Sequence, residues 1–156
     1  MKTINIESTY HPNEQQTEAI FQLRNAEYPA SIAFKTLEDA KTYLASLKAA
    51  EHFFLELEGK MAGWAYAAER GENTWFAIII SSEHHGKGLG RKLLNILKER
   101  YQELYGWVIE EGAHLRQNGL PYKSPMGFYL KTGFSKDHVV NESPLFITQR
   151  VSWIVK

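Results

Sequence analysis

The sequence predicts a single α/β domain whose mixed, mostly antiparallel central sheet is flanked by helices. Three observations carry this. Two amphipathic helix patterns follow a first short strand, and three strand patterns joined by hairpin turns fill the middle of the chain. An apolar strand then runs into a glycine-rich turn and a strong helix. At 156 residues, with 44% hydrophobic and 23% charged side chains, the chain suits one domain over 1–156 with a core of its own.

Lys2 to Glu7 alternates around Ile4 and Ile6, as a strand does. Asn13 to Tyr28 follows as a helix, with Ala19, Ile20, Leu23 and Ala26 on one side. Thr36 and Asp39 form a capping box that opens a second helix, whose stripe is Leu37, Ala40, Tyr43, Leu44 and Leu47. His52–Leu57, Gly63–Ala68 and Thr74–Ile80 read as strands, with turns at Gly59-Lys60 and Arg70–Asn73. Ala77–Ile80 is continuously apolar, as expected of a strand buried on both faces. The next helix, Gly88 to Glu103, places Leu89, Leu93, Leu94, Leu97 and Tyr101 together. Tyr105–Glu110 is a strand, Pro125–Lys131 a short helix capped by Gly133, and Phe134–Val140 and Leu145–Val155 two closing strands. The predicted order is β-α-α-β-β-β-α-β-α-β-β.

Composition excludes several chemistries. There is no cysteine, hence no disulfide, no thiolate metal site and no acyl-enzyme on sulfur. Eighteen basic residues balance eighteen acidic ones, which argues against a nucleic-acid surface while leaving room for a local anion site. The longest apolar run, Trp75–Ile80, is too short to cross a bilayer, and the N-terminus carries no secretory pattern. The expectation is a cytoplasmic domain with no membrane and no nucleic-acid partner. The adjacent His84 and His85 cannot both face one site from an extended chain, so no metal is expected.

The segment Ile78 to Arg91 is the most informative. A buried strand delivers the chain to glycines at 86, 88 and 90, and these feed a helix N-terminus. The first amides of a helix are unpaired and carry the positive end of its dipole. Glycines let an anion approach them, and Lys87 and Arg91 add positive charge nearby. This specifies a pyrophosphate cradle, the other reading being a tight turn alone. A Walker A loop is a poorer fit, because Lys87 precedes Gly88 rather than Ser or Thr. The dinucleotide fingerprint fails at Arg91.

His85-Gly86-Lys87-Gly88-Leu89-Gly90 resembles the acyl-CoA signature of the GCN5-related N-acetyltransferase (GNAT) superfamily, with His85 where that family has Arg or Gln. Phe128-Tyr129-Leu130-Lys131-Thr132-Gly133-Phe134 resembles the family's second segment, about forty residues further on. The resemblance implies a GNAT-like sheet and acetyl-CoA as acyl donor to an amine acceptor, with direct transfer in a ternary complex. It further implies that backbone groups near Ile78 and Ile80 pair with the pantetheine arm. The pyrophosphate would lie on amides from Gly86 through Arg91, His85, Lys87 and Leu89 among the loop residues. Ser124 offers a hydroxyl to the pantetheine in place of the family's usual asparagine. By resemblance Tyr129 is the general acid that protonates the departing thiolate.

An amine of pKa near ~10.4 must lose a proton before it attacks. Glu110 and Glu111, ending a central strand, are the candidate bases, with water as an equal alternative. Trp64, Tyr66 and Trp107 on central strands, and Arg24 and Tyr28 on the first helix, are candidates for the acceptor pocket, core packing being the plainer reading of the aromatics. Small amines, aminoglycosides, amino acids, peptide N-termini and protein lysines are all acceptors that the resemblance admits, and analogy admits a homodimer. Two rivals stand beside this reading. One is a non-catalytic acyl-CoA sensor of the same fold, and the other a different nucleotide-binding α/β domain.

Overall fold

The first helix is secured by a reciprocal cap. The Asn13 side chain accepts from the Gln16 amide at 2.7 Å, and the Gln16 side chain accepts from the Asn13 amide at 2.9 Å. The structure, a computed structural model, describes residues 3–112, 114–142 and 147–156. Lys2, Leu145 and Phe146, expected in outer strands, lie outside them. The elements are β1 (Ile4–Thr9), α1 (Glu14–Glu27), α2 (Leu37–Ala45), β2 (Lys48–Leu57), β3 (Lys60–Arg70), β4 (Asn73–Ile80), α3 (Leu89–Arg100), β5 (Glu103–Ile109), α4 (Met126–Lys131), β6 (Ser135–Glu142) and β7 (Ile147–Ile154). Their order is the expected one. The box at Thr36 and Asp39 opens α2 as predicted, at 3.1 and 3.2 Å.

The seven strands form one sheet in the order β1-β2-β3-β4-β5-β7-β6. All neighbours are antiparallel except β4 and β5, which run parallel and meet in register at Trp75 and Tyr105. One face of the sheet packs against α3 and α4 through Phe53, Leu55, Phe76, Leu93, Leu97 and Leu104. The other packs against α1 and its neighbours through Ile20, Leu23, Phe54, Trp64 and Ile79. Each fully buried leucine or phenylalanine contributes roughly 1.5–3 kcal/mol. Among the described residues no helix is long and apolar enough to cross a membrane.

Among the boundaries that differ from expectation, the start of β2 and the end of α3 meet at one carboxylate. β2 begins at Lys48 rather than His52, with a register shift between Lys48 and Glu51 and a left-handed Ala49 at φ 50°. Alanines give a weak strand signal, so this bulged stretch is hard to read from sequence. The bulge buries Glu51, which the Arg100 guanidinium meets and to which the Tyr101 hydroxyl donates at 2.8 Å. Tyr101 is thereby drawn into extended backbone. The helix ends at Arg100 and leaves Glu103 to open β5, where the sequence pattern predicts helix through Glu103.

His52 shows how the core handles a titratable ring. It is 2% exposed, and its Nδ1 accepts from Trp64 Nε1 at 3.1 Å. Burial pushes its pKa from 6.5 down to about 4. The folded state therefore binds fewer protons than the unfolded one between those values. The stabilisation is complete above pH 6.5 and is lost as pH falls toward 4, by up to about 3 kcal/mol. The melting temperature is expected to drop between pH 7 and pH 4.5, and His52→Gln, which keeps an acceptor for Trp64 but cannot titrate, is expected to drop less. An equal acid limb in both proteins assigns the loss to other groups.

Candidate functional site

Beyond the Trp75–Tyr105 pairing β4 and β5 separate, and a narrow gap of about 50 Å³ opens between them. Ala77 and Ile78 line it from β4, Gly106 through Ile109 from β5, with Tyr28, Tyr122 and Tyr129 around them. Gly106 is needed there, because a Cβ would come within 2.9 Å of the Phe76 ring. A larger cleft of about 670 Å³ runs from the end of β4 across the glycine loop to α3 and α4.

The glycine loop has the geometry its sequence suggests. Gly86 and Gly88 sit at φ 79° and 78°, left-handed conformations that strain any other L-residue. Gly88 caps α3 without any side-chain cap, and the first helical bond is the Lys92 amide to Gly88 O at 3.1 Å. The amides of Leu89, Gly90 and Arg91 thus face forward at the positive end of a helix with no acid in its first turn. A Cβ at Gly86 or Gly88 would meet no protein atom within 4 Å, so the space above these amides is open to a ligand. Gly90 has a second reason to be glycine, since a Cβ would lie 3.3 Å from the Phe128 ring of α4.

The remaining predicted residues divide. Ile78, Ile80, His85, Gly86, Gly88, Leu89, Gly90, Arg91, Ser124 and Tyr129 all line the large cleft, whereas Lys87 does not. The Lys87 ammonium instead donates to His84 Nδ1 at 3.1 Å. His85 Nε2 donates to the Ile80 carbonyl at 2.8 Å, which ties the loop back onto the strand and fixes the ring as an Nε2–H donor. Ser124 Oγ accepts from the Met126 amide at 3.3 Å, at the start of α4. Glu110 and Glu111, the candidate bases, line neither cavity. β5 ends at Ile109, the Glu110 amide donates to Ile147 O at 3.0 Å, and the Glu111 carboxylate accepts from the Ser124 amide at 3.1 Å. The Glu111 carboxylate and the Glu110 backbone amide each anchor a loop.

Tyr129 is held hard. It sits in α4, 6% exposed, with Phe128, Phe134 and Phe76 at 5.2, 5.4 and 5.6 Å between ring centroids. Gly133 at φ 95° ends the helix as predicted, with the Phe134 amide returning to Tyr129 O at 3.0 Å. Tyr129 lines both the cleft and the gap. Burial pushes its phenol far above the ordinary tyrosine value, and Tyr28 and Tyr122 add to the shift. Such a group keeps its proton at working pH.

The cleft also has walls that the sequence reading missed. Glu27 is its only lining carboxylate among the described residues. One oxygen accepts from the Ser82 amide at 3.0 Å, and the other meets Arg116 Nη1 at 3.3 Å. An acid in the last turn of α1 opposes the helix dipole, and that was the available signal for Glu27. Tyr28, named in the sequence as an acceptor-pocket candidate, lines both cavities, and burial raises its phenol to about 12. Arg24 lines neither. Its guanidinium lies 4.1 Å over the Phe34 ring and donates to Ile32 O, bracing the connection to α2. Trp64 and Tyr66 are core residues, while Trp107 reaches the gap.

Comparison with known proteins agrees with this geometry. A family model described as an acetyltransferase (GNAT) domain matches residues 48–136. No curated protein matches the sequence at a significant level. Among solved structures, smu.2055 from Streptococcus mutans UA159 is 15% identical, with 97% of this chain and 99% of that one covered, at a TM-score of 0.74. An aminoglycoside 6'-N-acetyltransferase complexed with coenzyme A is 12% identical, with 97% of each chain covered, at 0.73. The ribosomal-protein-S18-alanine N-acetyltransferase from Escherichia coli is 16% identical, covering 100% of this chain and 95% of that one, at 0.68. At such identities the likeness concerns the fold.

Proposed function

The chain belongs to the GNAT acetyltransferase family, and we propose that it moves an acetyl group from acetyl-CoA to a primary amine by direct transfer in a ternary complex. The observation that carries this reading is a cleft that shares Tyr28, Ile78, Tyr122, Pro125 and Tyr129 with the gap between β4 and β5. It joins open helix amides at Gly88–Arg91 to the buried phenol of Tyr129 and to the gap beside β4. The diphosphate of the donor fits the amides and Arg91. Its pantetheine fits the β4 edge at Ile78 and Ile80, with the thioester beside Tyr129.

In the transfer, the free amine attacks the thioester carbonyl, an N–C bond forms and an oxyanion develops. Collapse of the oxyanion breaks the C–S bond, and the thiolate takes the Tyr129 proton. The nitrogen gives up one proton, which restores the phenol through solvent, so amide and free CoA thiol are the products. Water fits the base role better than Glu110 or Glu111, neither of which lines a cavity. A cysteine-free chain fits a cytoplasmic setting.

The experiment is release of CoA thiol from acetyl-CoA on addition of primary amines. The reading expects release that depends on both substrates. Binding of acetyl-CoA with no release on any amine favours the sensor reading instead.

A further inference from the structure

β4 and β5 carry three aromatic side chains that belong to neither core cluster. Alternate residues face opposite sides of a sheet. Phe76, Leu104 and Val108 face the core beneath α3 and α4, so Trp75, Tyr105 and Trp107 face the other way. They remain partly exposed there. Their rings form a shelf, with Trp75 and Trp107 centroids 5.5 Å apart and Trp75 and Tyr105 centroids 5.9 Å apart. Guanidinium groups lie over two of the rings. Arg70 lies 4.6 Å from the Trp75 centroid and Arg150 5.3 Å from that of Tyr105. The nearby acid, Asp137, is already engaged by Arg150 at 2.7 Å and by the Ser152 hydroxyl at 2.7 Å.

Trp107 also lines the gap that Tyr129 lines. The shelf therefore starts beside the proposed reacting atoms and runs outward toward positive charge. We propose that it is the acceptor subsite, and that the acceptor is a primary amine on a flat apolar body with an anionic group at its far end. This rests on the acetyl-transfer reading above. The amine must enter the gap to reach the thioester, and no charged side chain lines that gap among the described residues. The flat body then gains by packing against Trp107 beside the gap. The far anion gains chiefly from Arg70, because Arg150 already holds Asp137. A polyamine would instead meet two arginines and one acid already paired, which disfavours it.

The test measures CoA thiol release by the natural chain, Trp107→Ala, Trp107→Leu and Arg70→Ala, with saturating acetyl-CoA. The acceptors are 4-(aminomethyl)benzoate, benzylamine and spermidine. The expected order of kcat/KM is that order. Both Trp107 variants should lower the values for the two ring-bearing amines by roughly tenfold or more, with KM for acetyl-CoA and the melting temperature held. Arg70→Ala should narrow the advantage of the carboxylate-bearing amine. Three results overturn the proposal: spermidine preferred, a folded Trp107→Leu that changes nothing, or no turnover of any of the three while acetyl-CoA binds. If acetyl-CoA itself does not bind, the acetyl-transfer reading fails first and the subsite falls with it.

Discussion

Tyr129→Phe is expected to lower kcat by roughly 10²–10⁴-fold while acetyl-CoA binds as before. The substitution removes only a hydroxyl. The ring keeps its edge contacts with Phe76, Phe128 and Phe134, and the Gly133 cap that fixes α4 uses backbone atoms, so the fold should hold. The loss then reads the worth of one positioned proton donor beside a leaving thiolate. The pH dependence follows from the sign of the shift. Burial raises the phenol far above its ordinary value, so the donating form is fully present at lower pH and is lost only as pH rises through that elevated value. The natural protein should show no alkaline fall in kcat from Tyr129 between pH 6 and about pH 10. Steady-state rates across that range, with the phenylalanine variant alongside, check both statements. A variant with full activity would mean that the thiolate is protonated from elsewhere.

Much of this site was legible in the sequence because its parts are local. The strand, glycine turn and helix from Ile78 to Arg91 are contiguous, and glycine reports backbone geometry directly. The segment from Phe128 to Phe134 likewise combines a helix end, its cap and its aromatic packing within seven residues. What was not legible depends on contacts between distant residues. Glu27 and Arg116 stand 89 residues apart in sequence and meet on one wall of the cleft. Nor does any local pattern show that β4 and β5 pair at one position and then part, because that follows from how two edges meet in the finished sheet. Glu110 and Glu111 line neither cavity for a related reason. Strand alternation runs only to Ile109, and past it each acid follows the hydrogen bonds of its loop. Trp64 and Tyr66 carry the aromatic signal of a pocket and the burial of a core, and only the covering helix decides between them.

The second large effect belongs to Gly88. Aspartate there should abolish donor binding without unfolding the chain. A Cβ at this position meets nothing within 4 Å, so the added cost is the left-handed backbone at φ 78°, about 1–2 kcal/mol. Asp is among the residues that tolerate that region best. Its carboxylate, however, would stand over the helix amides where a diphosphate should lie, and would both occupy and repel. Gly88→Ala carries similar strain without the charge, and should weaken binding less.

Thermal unfolding of the natural chain and Gly88→Asp, each with and without acetyl-CoA and with ATP as control, tests the central claim most directly. Acetyl-CoA at ~100 times its dissociation constant stabilises a protein by about 2.7 kcal/mol. For a chain of this length that is a rise of roughly 5–10 °C in melting temperature. The account predicts that rise for the natural chain with acetyl-CoA, none with ATP, and none for Gly88→Asp with either. A rise with ATP alone, or an undiminished rise with acetyl-CoA in Gly88→Asp, would contradict it.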